Sequence, residues 1–168
     1  MSKMLRVILA LLTLGLLITS CSGGSEPQTA TVGQPAPDFE LQNPDGDSIS
    51  LSDLDRPVLI NFWYTGCPPC RKEMPYLQQI YDERQSSKLV VLAINVGESA
   101  STVNEFYQDN NLSLPVVLDT SGAVARRYNI QFFPTTFFID KDGIIQEKVI
   151  GAFPSKAAIE KRLSKIMP

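Results

Sequence analysis

Two of the chain's three cysteines stand three residues apart, as Cys67-Pro68-Pro69-Cys70. A zinc site built on such a pair needs a second pair of Cys or His ligands. The chain has no histidine and only Cys21 left over, so no metal or cofactor is expected. A purely structural disulfide across two residues closes too short a loop to add much stability. Dithiol chemistry remains. If the pair opens a helix, the sulfur of Cys67 faces unpaired N–H groups and the positive end of the helix dipole, which favour the thiolate. The thiolate is the nucleophile of disulfide exchange. Cys67 is therefore expected to attack, and Cys70, one turn on, to resolve the mixed disulfide. Pro68 suits the first helical position. Pro69 also lacks an N–H, so the N–H of Cys70 alone is left to face the Cys67 sulfur. The absence of histidine also excludes Ser-His-Asp and Cys-His nucleophile pairs and His-ligated haem.

The surrounding pattern supplies the strand and helix that such a pair needs. Val58 to Tyr64 is nearly continuous in apolar character, as a strand buried on both faces would be. Beyond Cys67, the residues Met74, Leu77, Ile80 and Tyr81 recur at helical spacing, with Pro75 expected to interrupt and kink that helix. Leu89 to Val96 reads as a second buried strand. Thr102 and Glu105 have capping-box spacing ahead of a helix with Val103, Phe106 and Tyr107 on its apolar stripe, and Asn110-Asn111 can stop it. Val116 to Leu118 is a short strand, and a short helix is expected around Gly122 to Tyr128. Thr135 to Ile139 and Ile144 to Ile150 flank the turn Asp140-Lys141-Asp142-Gly143. Ile159, Leu163 and Ile166 mark a last helix. Before all of these, Phe39 and Leu41, the turn Pro44 to Asp47, and Ile49 and Leu51 predict a hairpin. Alternating strands and helices place a central sheet between helical layers.

The N-terminus reads as an address. Lys3 and Arg6 precede the apolar run Val7 to Ile18, which fits a secretory signal better than a membrane-spanning helix. Leu17-Ile18-Thr19-Ser20-Cys21 resembles a bacterial lipobox, which implies cleavage before Cys21 and lipid attachment to its sulfur. Residues 1–20 are then a signal peptide, 21–32 a small, polar tether and 33–168 the folded domain. Losing Lys3 and Arg6 takes the net charge from −3 to −5, which gives no basic footprint for nucleic acid. Export would place the cysteines where disulfides persist.

Asn61 through Cys70 (NFWYTGCPPC) resembles the active-site segment of thioredoxin-like proteins. Gly33 to Leu41 is similar to the opening of the TlpA and AhpC/TSA branch. Val91 to Glu98, Pro115 to Asp119 and Phe133 to Ile139 resemble the ResA type within it. The resemblance implies a thioredoxin-like α/β fold, with a mixed central sheet, flanking helices and the added N-terminal hairpin. It implies a cis Phe133–Pro134 bond beside the cysteines, where the backbone before Pro134 aligns an extended substrate. Trp63, Phe133, Pro68 and Pro69 are expected to contact substrate. Asn61 stands where thioredoxin has a buried acid. Glu98, at the carboxyl edge of the sheet, is expected either to sit near the cysteines and exchange protons with Cys70, or to be a solvated loop residue. One position departs from the family: Gly66 replaces the usual Trp before the first cysteine, which should open the surface beside Cys67.

These implications converge on a membrane-anchored, extracytoplasmic thiol-disulfide oxidoreductase of a bacterial cell envelope that reduces protein disulfides. The haem-attachment Cys-x-x-Cys of apocytochrome c is the suggested substrate, and a membrane thiol relay the electron donor. A peroxiredoxin-like peroxidase is the main alternative. That class has Thr three residues before its cysteine, where this chain has Tyr64. A non-catalytic lipoprotein on the same scaffold is the third reading, and the intact Cys67/Cys70 pair with Pro134 speaks against it.

Overall fold

The computed structural model describes residues 29–84 and 88–167; Cys21 and the signal segment lie outside them. Among these residues a seven-stranded mixed sheet runs in the order β2-β1-β5-β4-β3-β6-β7. Its centre is β3 (Val58–Trp63), parallel to β4 (Val90–Val96) and antiparallel to β6 (Thr135–Ile139). β4 pairs in parallel with β5 (Val116–Asp119), and β6 with the antiparallel edge strand β7 (Ile145–Ile150). The expected N-terminal hairpin forms from β1 (Glu40–Gln42) and β2 (Ser48–Ser50) and extends the sheet beside β5.

Every residue of β3 is buried, because both faces of the sheet are covered. On one face Leu59, Trp63, Val91 and Phe138 pack beneath α1 (Pro68–Arg84), α2 (Ala100–Asp109) and α4 (Lys156–Leu163). On the other, Ile60, Phe62, Ile94 and Phe137 pack with Phe39, Tyr128 and α3 (Ala123–Arg127). The Tyr128 hydroxyl donates to the Pro37 carbonyl at 2.7 Å, fastening the N-terminal segment to this face. Contacts with the body begin before the expected boundary at Gly33. Ala30 is buried, and the Gly33 N–H bonds the Ile145 carbonyl at 2.8 Å.

Two local expectations are corrected. Pro75 does not interrupt α1, which continues through it as one 17-residue helix. Burying Met74, Leu77 and Ile80 is worth about 1.5–3 kcal/mol per side chain, more in sum than the roughly 3 kcal/mol a helical proline costs. The cap of α2 is Ser99 rather than Thr102: its Oγ accepts the Thr102 N–H at 3.2 Å. Thr102 lies within the first turn because Ser99 takes the capping role first.

Candidate active site

Strand β3 ends at Trp63, a turn spans Tyr64 to Gly66, and α1 begins at Pro68, so Cys67 stands at the strand-to-helix junction. The Cys67 carbonyl accepts from the Arg71 N–H at 3.1 Å, and its Sγ accepts from the Cys70 N–H at 3.2 Å. Cys67 thus serves as the cap of α1, and Cys70 supplies the one N–H that the two prolines leave. The two sulfurs are joined as a disulfide, with S–S 2.06 Å. Cys70 is fully buried and Cys67 is 2 % exposed, while Pro68 and Pro69 lie on the surface.

Pairing of β3 with β6 sets Phe62 opposite Thr135. The residues just beyond β3 and just before β6 therefore share one edge of the sheet. Phe133–Pro134 is cis there, as the resemblance implies. Pro134 is buried, and Phe133 is half-buried against the ring of Tyr64.

Trp63 is no substrate contact. It is wholly buried, its ring tilted against those of Phe106 and Tyr107 of α2, because its β3 position points into the helical face of the core. Neither reading of Glu98 holds in full. Its carboxylate is half-buried and fully occupied: Oε2 accepts the Thr65 N–H at 2.8 Å and Asn95 Nδ2 at 2.7 Å, and Oε1 accepts the Thr65 hydroxyl. These hydrogen bonds go to the turn ahead of Cys67 and to the end of β4, not to either sulfur. Glu98 is a positioning residue that ties two sheet-edge loops together. Gly66 is exposed, as expected, with the Tyr64 ring beside it.

The buried acid of this site is Glu73, which the sequence reading missed. It lies on α1 three residues after Cys70, hence on the same helix face, and it is completely buried. Its Oε1 accepts Asn61 Nδ2 at 2.8 Å and its Oε2 accepts the Phe153 N–H at 2.9 Å. Asn61 also donates to Thr136 Oγ1 at 2.9 Å. Burial drives the Glu73 carboxyl up to about 7, against the opposing effect of the two hydrogen bonds. Two signals in the sequence mark it. Asn61 is a lone amide inside an apolar strand, and Glu73 falls within the buried stripe formed with Cys70, Met74 and Leu77.

A dithiol/disulfide pair at a helix N-terminus, at the same sheet edge as a cis-proline, with a buried carboxyl raised to about 7 three residues further along the helix, defines on this sheet a thioredoxin-fold thiol-disulfide oxidoreductase. The sequence matches the AhpC/TSA family over residues 32–148, and the chain belongs to that family. It is 38% identical over 145 residues to the thiol-disulfide oxidoreductase ResA of Geobacillus kaustophilus (strain HTA426), a match covering 86% of this chain and 83% of the relative. Among solved structures it is similar to a thiol:disulfide interchange protein of the thioredoxin family from Chlorobium tepidum TLS. That likeness has a TM-score of 0.73 and 28% identity over 82% of this chain and 99% of the other. It is also similar to the exposed lipoprotein thioredoxin Etrx1 of Streptococcus pneumoniae strain TIGR4, with a TM-score of 0.66 and 30% identity, covering 77% and 99%.

Proposed function

We propose that the chain acts as a reductant of protein disulfides, held by lipid on Cys21 at the extracytoplasmic face of a bacterial membrane. The observation that carries the redox part is the Cys67–Cys70 disulfide at the head of α1, with Glu73 one turn along the same buried face. In the reduced protein the Cys67 thiolate attacks one sulfur of a substrate disulfide. A mixed disulfide forms, and the substrate's other sulfur leaves as a thiolate. The Cys70 thiol passes its proton to the Glu73 carboxylate and attacks Cys67 Sγ, which expels the second substrate thiolate. The substrate has gained two electrons, and the chain is left with the Cys67–Cys70 disulfide. A dithiol donor must then reduce it by the reverse exchange. A carboxyl titrating near 7 suits this transfer, because an acid–base group works best when its pKa lies near the working pH.

The Cys-x-x-Cys segment of apocytochrome c is the substrate in this reading, and a membrane thiol relay the donor; both follow from the resemblance of the chain's motifs to the ResA type. The lipid anchor is supported by the lipobox-like residues before Cys21 and by the likeness to a thioredoxin that is itself a lipoprotein. Residues 1–20 are the cleaved signal and the segment after Cys21 links the domain to its anchor. A Cys70→Ser variant, reduced and mixed with a disulfide-bonded substrate peptide, accumulates the mixed disulfide on non-reducing gels, whereas Cys67→Ser does not. Equal trapping by both variants would reverse or abolish the assigned roles.

A further inference from the structure

The way in to Cys67 is aromatic. Tyr64 is 37% exposed, and its ring meets Phe133 edge-on, with centroids 5.3 Å apart and planes at 86°. Phe132, next in the chain, is 63% exposed. Tyr64 belongs to the turn that delivers the nucleophile, for its carbonyl accepts the Cys67 N–H at 3.2 Å. Gly66 lets the ring lie where it does. A Cβ on Gly66 would come within 3.3 Å of Tyr64 Cε2 and 3.6 Å of Cδ2, so a methyl group there would lie against the ring and shift it by about a few tenths of an ångström. Cys67 itself is almost covered, at 2 % exposure. Aromatic rings gain free energy from contact with other apolar groups. A ring left half open beside a nearly closed sulfur will therefore be covered by whatever chain lies across that sulfur.

We propose that Tyr64 is a specificity-determining residue, its ring forming with Phe133 a wall that favours disulfides carried on a polypeptide over small free disulfides. This rests on the reading of Cys67 as the attacking thiol. A polypeptide crossing Cys67 lays the residues flanking its disulfide on the ring. A small neutral disulfide such as hydroxyethyl disulfide has no flanking residues and gains nothing from it. Selectivity thus resides in a side chain that takes no part in the exchange of bonds.

The test compares reduction of insulin and of hydroxyethyl disulfide by the full chain and its variants. Tyr64→Ala is expected to lower kcat/KM for insulin about fivefold, chiefly through KM, and to leave hydroxyethyl disulfide unchanged. Tyr64→Phe, which keeps the ring, stays close to the parent on both substrates. Gly66→Ala, which shifts the ring only slightly, stays close to the parent on both substrates. An equal fall on both substrates would make Tyr64 merely structural, and an unchanged ratio would remove its role in selection. A parent protein that reduces neither substrate would instead overturn the redox reading on which this proposal depends.

Discussion

The burial of Glu73 carries a cost in stability that depends on pH. Its carboxyl is raised from 4.5 to about 7 by burial, so the folded chain holds a proton that the unfolded chain has already released. The folded state binds more protons between about pH 4.5 and 7, and its stability therefore falls as pH rises through that window and levels off above it. The charged form costs about 3 kcal/mol, at about 1.4 kcal/mol for each unit of displacement. Glu73→Gln keeps the size and the acceptor for the Phe153 N–H while removing the titration. The parent should lose that much stability relative to the variant between pH 5 and pH 8, as read by urea unfolding at each pH. The variant should also resolve a mixed disulfide more slowly, with no inflection near pH 7. Parallel stability profiles would mean that Glu73 titrates as an ordinary exposed carboxyl.

The turn between β3 and α1 depends on a partner outside either element. Thr65 gives both its N–H and its hydroxyl to Glu98, which Asn95 at the end of β4 also holds. The carboxylate supplies only acceptors to three donors. In Glu98→Gln the amide oxygen can keep the Thr65 N–H and Asn95 while the amide nitrogen donates to the Thr65 hydroxyl, so every group stays paired but the charge that strengthened the bonds is lost, at about 1 kcal/mol. Thermal unfolding should show a lower Tm, and the exchange rate with insulin should fall by a constant factor at all pH values. A displaced pH profile for the cysteines in Glu98→Gln would return the proton-carrying role to this residue. The same element logic explains α1, where tertiary burial of three apolar residues overrides Pro75. Lys156 on α4 reaches Glu83 on α1 at 2.6 Å, a surface pair that adds at most about 1 kcal/mol beside that burial.

For the molecule as a whole, the redox reaction and the proposed membrane attachment draw on different cysteines, Cys67 with Cys70 for the first and Cys21 for the second. Among the described residues no helix is long and apolar enough to cross a bilayer, and the attachment proposed above is through lipid on Cys21. Cys21→Ala should abolish incorporation of labelled lipid and shift the protein out of the membrane fraction, while insulin reduction by the isolated protein stays the same. Undiminished lipid labelling would refute the lipobox reading. One acyl chain alone binds weakly, so firm retention requires the several chains of a lipoprotein terminus.

The order of strands and helices, the hairpin ahead of them and the identity of the redox pair were legible in the chain itself. Each is encoded locally: by apolar periodicity in β3 and α1, by the turn residues Asp140 to Gly143, and by the three-residue spacing of Cys67 and Cys70. What the local pattern could not carry is which polar groups meet across the core. Glu73 becomes a buried acid only when β3 brings Asn61 beneath it and the chain returns 80 residues later with the Phe153 N–H. Glu98 is bound to the turn ahead of Cys67 by Thr65, 33 residues earlier. Trp63 and Tyr64 are neighbours in sequence, yet one is sealed against α2 and the other stands over Gly66 at the entrance. Alternation along a strand sends adjacent side chains to opposite sides, and only the layers packed on each side decide which of them reaches solvent.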